Sequence, residues 1–229
     1  FNADASEGMM CGNGSRCIAK FVYDKGLTQK NPITLETLSG IKTIAMDVAD
    51  GKVVSATVDM GVPITDPSSI PMTWEKSICL DETITVTVDG APLSLRGTGV
   101  SMGNPHFVTF VEDVATAPVE KVGRVIEHSS YFPERVNVEF VEIVDDNHVK
   151  FRVWERGSGE TLACGTGACA VAYTAITLGK AGRRDQFLTV EAVGGPLQLN
   201  YRSDGHMMMK GPAVTVYEGE MEIPDNILK

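Results

Sequence analysis

Cys11-Gly12-Asn13-Gly14 leads into Ser15-Arg16-Cys17-Ile18-Ala19-Lys20-Phe21-Val22-Tyr23. Cys164-Gly165-Thr166-Gly167, 153 residues on, leads into Ala168-Cys169-Ala170-Val171-Ala172-Tyr173-Thr174-Ala175-Ile176. In each copy a thiol stands just before a glycine turn that opens an apolar, helix-forming run. A helix start offers unpaired N–H groups and a partial positive charge, a setting that favours thiolate over thiol. Two such elements constrain the chain to a duplicated fold in which the thiols face one another. A facing thiol pair is a symmetric pair of proton carriers, the machinery for inverting a carbon stereocentre.

The duplication extends past the cysteines. Ile33-Thr34-Leu35-Glu36-Thr37-Leu38-Ser39-Gly40 is answered by Leu188-Thr189-Val190-Glu191-Ala192-Val193-Gly194-Gly195, an offset of 155 residues against 153 for the cysteines. Asp50-Gly51 and Met60-Gly61-Val62-Pro63 are loosely answered by Asp204-Gly205 and Lys210-Gly211-Pro212. So long a period means two related domains and excludes a solenoid, whose units are far shorter.

With 229 residues, 43% of them apolar, the chain can bury one large core or two modest ones. Its net charge of −10 is spread along the chain, which argues against a nucleic-acid partner or an anionic membrane. No apolar run is long enough to span a bilayer, and no secretory signal pattern appears. Five cysteines are too few, and odd in number, for a disulfide scaffold. A cytoplasmic setting is expected. Phe1 is not an initiator Met, and Phe1-Asn2-Ala3-Asp4 reads as a loop. The first domain is therefore expected to be incomplete at its N-terminus.

The pattern predicts a helix from about Gly14 to Lys25 stopped by Gly26. Strands follow at 33–38, 42–48 and 53–59, the last two joined by an Asp50-Gly51 hairpin. A Pro/Ser-rich crossing, Asp66-Pro67-Ser68-Ser69-Ile70-Pro71, follows Met60–Pro63. Further strands are predicted at 83–88, 93–98, 107–110, 136–144 and 149–155, with a helix inside 114–128 that has Pro118 near its first turn. The second glycine–helix element covers about Gly165 to Leu178. Strands at 187–193, 197–202 and 207–210 come after it, and a strand at Ala213–Tyr217 is expected to return to the first domain. The fold class is α+β: two pseudo-symmetric domains, each an antiparallel-rich sheet wrapped around a central, largely buried helix. Residues 1–62, with 213–229 returning, form the first domain and 63–212 the second.

A hydrogen on carbon beside a carboxylate is very weakly acidic, so a site that removes it must stabilise an enediolate-like carboxylate with preorganised donors. The N–H groups after Cys11 and Cys164 can supply them, and the glycines let backbone approach the ligand closely. Cys17 and Cys169 fall about one turn inside the helices and read as buried packing residues; Cys79 reads as structural. A zinc site fits poorly, because Cys-x5-Cys and Cys-x4-Cys lie within helix-forming runs. A P-loop lacks its lysine and hydroxyl ending, a redox pair lacks Cys-x-x-Cys, and no lysine has a pyridoxal-binding context. The expectation is a site without metal or cofactor.

Several strings occur in order: Asn2-Ala3-Asp4, Met10-Cys11-Gly12-Asn13-Gly14-x-Arg16-Cys17, Gly103-Asn104-Pro105-His106, Arg135-Val136-Asn137-Val138, and Trp154-Glu155-Arg156-Gly157 leading to Glu160-Thr161-Leu162-Ala163-Cys164-Gly165-Thr166-Gly167. Together with the closing Gly211-Pro212-Ala213 and Val216-Tyr217-Glu218-Gly219-Glu220, they resemble the diaminopimelate epimerase family. The resemblance covers essentially the whole chain. It implies interconversion of LL- and meso-diaminopimelate in lysine and peptidoglycan precursor synthesis, without cofactor or metal, commonly by a homodimer.

By the same resemblance Cys11 and Cys164 are the acid/base thiols, each acting on one stereoisomer. Gly12, Asn13, Gly165 and Thr166 supply backbone donors to the reacting carboxylate. Asn2, Asn137 and Arg156 hold the distal carboxylate, Glu155 the distal ammonium, and Asn104 lines the pocket. His106 matches a histidine near the thiols. These types make physical sense, since a planar cationic fork suits a carboxylate and an acid suits an ammonium. Without the resemblance, an adjacent Glu-Arg pair more often marks a solvated turn, and isolated asparagines more often cap local backbone. The family opens with a further segment, carrying a His-Gly-x-Gly-Asn-Asp-Phe-like loop and a glutamine, that has no counterpart here, and Ala5 stands where a glycine is usual. Rival expectations are a proline or hydroxyproline racemase on the same fold, or a binding protein that retains it.

Overall fold

The computed structural model describes residues 10–220 and residue 222. The repeat is visible as two copies of one unit, a helix followed by a three-stranded antiparallel meander. In the first copy α1 (Gly12–Asp24) precedes β1 (Ile33–Thr37), β2 (Gly40–Ala49) and β3 (Lys52–Asp59). Between the copies lie β4 (Glu82–Val88), β5 (Ala91–Ser101), β6 (Pro105–Phe110), α2 (Val119–Glu127), β7 (Asn137–Asp145), β8 (His148–Glu155) and β9 (Gly159–Thr161). The second copy is α3 (Gly165–Thr177) followed by β10 (Phe187–Ala192), β11 (Gly195–Tyr201) and β12 (Met207–Pro212).

The copies agree down to their end caps. Gly26 and Gly179 take the left-handed conformation, at φ 73° and 64°, and turn the chain out of the helix. Past them, Leu27 N–H donates to Val22 O and Lys180 N–H to Ala175 O, both at 2.9 Å. Each of these pairs is related by the same 153-residue offset as the cysteines. Asp50-Gly51 and Asp89-Gly90 have positive φ at both residues, as a tight hairpin turn requires.

All strands lie on one sheet path, in the order β1-β2-β3-β12-β11-β10-β8-β7-β6-β5-β4, with β9 beside β8. The first six positions form a palindrome: the first meander and then the second in reverse, joined where β12 pairs antiparallel with β3, Met209 opposite Val58. Only β10/β8 and β6/β7 are parallel. The sheet curls round α3, which touches β5 to β8 and β10 to β12. Ala168, Ala170, Ala172 and Ala175 are fully buried, and their small side chains let the strands close around it. Leu188, Val190, Leu199, Met207 and Met209 project from alternate positions into the same core, which also takes Ala19, Ile44 and Val58 of the first copy. A second core lies under α2, around Phe107, Phe132, Phe140 and Ile84.

Three expectations change. The helix α1 is covered on one face only, against β2, β3 and β12, and Ile18 and Phe21 on its other face are exposed. Cys17, expected inside, is exposed on that same face, whereas Cys169 is buried as expected. Residues 213–220 form no strand, because both edges of β3 are already taken by β2 and β12.

Candidate active site

Each of the repeated cysteines is the N-cap of its helix. Cys11 has φ −130° and ψ 108°, and Cys164 has φ −129° and ψ 114°. Cys11 Sγ accepts the Gly14 N–H at 3.3 Å and Cys164 Sγ the Gly167 N–H at 3.4 Å. Thr166 Oγ1 lies a further 3.4 Å from Cys164 Sγ. Extended backbone at the cap and a side chain turned back onto the first turn are the ordinary N-cap arrangement, with sulfur in place of oxygen. Since the third N–H of each helix is spent on sulfur, those of Gly12, Asn13, Gly165 and Thr166 have no intrahelical acceptor.

The two helix starts abut. A Cβ built on Gly165 would lie 3.8 Å from Gly12 Cα, and one on Gly12 would overlap Met209 Cε. Met209 also comes within 3.4 Å of the Gly165 position through its Sδ. Glycine is needed at Gly12 because the backbone and Met209 leave no room for a side chain.

The surroundings of the two thiols are unlike. Cys11 is exposed and Cys164 buried. Burial, followed by the charges of Glu155 and Glu139, pushes the Cys164 thiol well above its ordinary value, against the opposing hydrogen bonds from Thr166 and Gly167. On the α1 side lies Arg16, buried and without a carboxylate partner among the described residues. It donates to Asn13 Oδ1 at 2.8 Å and to Pro212 O at 3.3 Å, tying the first turn of α1 to β12. Burial lowers its pKa while Cys17, Cys11 and Cys169 act to raise it; an arginine stays charged regardless.

This contrast predicts the order of alkylation. Iodoacetamide on the native protein should modify Cys11 and Cys17 first and leave Cys79, Cys164 and Cys169 intact until unfolding, because rate follows access and thiolate fraction. Burial pushes Cys79 up to about 11. Timed peptide mass spectrometry checks the order; modification of Cys164 as early as Cys11 would contradict it.

A second cluster stands at the β8–β9 turn. Asn137, buried on β7, accepts the Arg156 N–H at 2.8 Å and donates to Pro105 O at 2.9 Å. Glu127, at the end of α2, accepts from Trp154 Nε1 at 2.7 Å and from Gly157 N–H at 2.9 Å. Thr161 Oγ1 donates to Glu155, and Arg156 donates to Glu134 O at 3.3 Å, its side chain exposed. The Glu155-Arg156 corner is thus pinned from three sides. Asn104 lies 3.1 Å from His106 Nε2, and His106 Nδ1 lies 2.6 Å from Glu139 Oε1.

The predicted residues therefore gather as two linked groups: Cys11, Gly12, Asn13, Cys164, Gly165 and Thr166 at the helix starts, and Asn137, Glu155 and Arg156 at the corner. Glu155 joins them through its charge on Cys164, and Asn104 and His106 join through Glu139. Asn2 lies outside the described residues. Glu127, Glu139 and Arg16 were not singled out from the sequence. Glu139 carried a signal, being a lone acid in the apolar run Val136–Val144.

The diaminopimelate epimerase family model matches residues 1–65 and 98–216. A diaminopimelate epimerase of Methanococcus maripaludis strain C5 is 50% identical over 224 residues, 97% of this chain and 78% of that protein. The chain belongs to the diaminopimelate epimerase family. It is an isomerase. The diaminopimelate epimerase of Bacillus subtilis strain 168 is 48% identical over 96% of this chain and 76% of its own length. Among solved structures, a probable proline racemase of Agrobacterium radiobacter K84 has a TM-score of 0.70 at 16% identity, covering 97% of this chain and 70% of that one. A PhzF-family phenazine biosynthesis protein of Bacillus anthracis has a TM-score of 0.65 at 19% identity, covering 94% and 77%. These likenesses show the α+β epimerase fold. No helix among the described residues is long and apolar enough to cross a membrane.

Proposed function

We propose that this chain interconverts LL- and meso-diaminopimelate with Cys11 and Cys164 as its two acid–base groups. The observation that carries the reading is the matched pair of cysteine N-caps on helix starts that meet at Gly12 and Gly165. One cysteine, as thiolate, takes the α-hydrogen of the reacting carbon. The C–H pair of electrons passes into the neighbouring carboxylate, whose growing negative charge is met by the N–H groups of Gly12, Asn13, Gly165 and Thr166. The opposing thiol then delivers its proton to the other face, so configuration inverts and the thiol and thiolate have exchanged places. Such stabilisation comes from fixed backbone dipoles, and the reading calls for neither metal nor cofactor.

The corner at Glu155 and Arg156 favours a substrate with a second amino-acid head: Arg156 and Asn137 for its carboxylate, Glu155 for its ammonium. Proline has no such head, so the likeness to a probable proline racemase is taken as fold alone. The same reading has residues 1–62 and 213–229 as one lobe and 63–212 as the other. It also has a homodimer working in the cytoplasm on lysine and peptidoglycan precursors.

Incubation in deuterium oxide tests this. LL-diaminopimelate should yield meso product carrying one deuterium at the inverted carbon, while proline should exchange nothing. Exchange into proline but not diaminopimelate overturns the substrate, and exchange into neither favours a binding protein.

A further inference from the structure

His106 on β6 and Glu139 on β7 are both fully buried, at 0% exposure, with Nδ1 and Oε1 2.6 Å apart. The far ring nitrogen, Nε2, reaches Asn104 Oδ1 at 3.1 Å. The other Glu139 oxygen, Oε2, has no hydrogen-bond partner. A Cβ on Gly167 would come within 2.8 Å of Oε1, so the pair is wedged beneath the first turn of α3. An ionised carboxylate buried with one oxygen unpaired is costly unless a proton or cation neutralises it. Two protons on the pair make it neutral overall: one between Nδ1 and Oε1, the other on Nε2. With a single proton, on Nδ1, the pair would be a buried anion beside Glu155 and Cys164. Burial raises the Glu139 pKa, His106 opposing, which agrees with the two-proton state.

We propose that Glu139 is a positioning residue: through the proton it shares with His106 Nδ1 it keeps His106 Nε2–H on the Asn104 amide oxygen, which leaves the Asn104 amide NH2 to meet an anionic group of the substrate. Asn104 thereby becomes a donor by construction, since its acceptor end is already occupied. A carboxylate is accepted at that point and an ammonium is turned away. The proposal rests on the functional reading above only in placing Asn104 against substrate.

Two measurements on the full chain test it. In protein labelled with 15N-histidine and free of ligand, the ring signals of His106, identified by their loss in His106→Gln, should report a protonated Nε2 at neutral pH. Glu139→Ala should replace that state by averaged tautomers. An unprotonated Nε2 in the parent protein overturns the proposal, whatever its activity and whether or not Glu139→Ala folds. In Asn104→Asp the new carboxylate still accepts from Nε2–H, but an acid now stands where an NH2 group stood. KM for diaminopimelate should rise at least about tenfold, with kcat changed less, because like charges now oppose one another. An unchanged KM overturns the assignment. If the parent protein exchanges no deuterium into diaminopimelate, the functional reading fails, and the ring-nitrogen signals alone decide the Glu139–His106 arrangement.

Discussion

Cys11→Ala and Cys164→Ala should each lower kcat for epimerisation by at least about 10³-fold, within the range that a positioned acid or base contributes. Each thiol serves a different face of the reacting carbon, so removing one leaves no group to receive or deliver the proton there. The double variant should be scarcely worse than either single one, as expected of residues that act as a unit. Serine is no rescue. Its hydroxyl fits the N-cap and keeps the helix start, but it is far less acidic than a thiol and does not supply the base. Chiral chromatography of product over time gives the rates, and circular dichroism shows that the fold persists. A single variant that kept more than roughly a tenth of parental turnover would falsify the two-thiol reading.

Arg156→Ala should cost roughly 10–150-fold in kcat/KM, mostly through KM. This is the loss expected from removing charge-assisted hydrogen bonds of about 1.5–3 kcal/mol. Arg156→Lys should recover little, because an ammonium cannot present two parallel donors to one carboxylate. The interpretation is clean because Asn137 holds Arg156 through its backbone N–H, and that bond survives any side-chain change. The side chain is exposed, so stability should move by no more than about 0.5 kcal/mol. Steady-state kinetics with diaminopimelate separates the parameters; a normal KM in Arg156→Ala would remove this residue from substrate recognition.

The repeat was legible because its signals are local. A cysteine before Gly-x-Gly, a glycine at each helix stop, and Asp-Gly between alternating strands all speak through neighbours in sequence. The elements therefore fall close to where the pattern places them. What escaped depends on distant partners. Cys17 has apolar neighbours, yet its exposure follows from which face of α1 meets β2 and β3. Ala213–Tyr217 has the β-branched content of a strand, but β12 already occupies the edge of β3 that it would need. Glu127 carries no motif; its importance comes from Trp154 and Gly157, which fold back onto it from about thirty residues away. Arg16 stands in a recognisable string, but its burial against Met209 and Pro212 is set by the far end of the chain.

Met209 sits on the strand common to both meanders and beneath both glycines at the helix starts. A flexible thioether suits such a place, since it can adapt to two neighbours at once. The two halves of the catalytic apparatus consequently stand on one footing. Neither can be reshaped from below without the other being disturbed, and a substitution there burdens the forward and the reverse conversion alike.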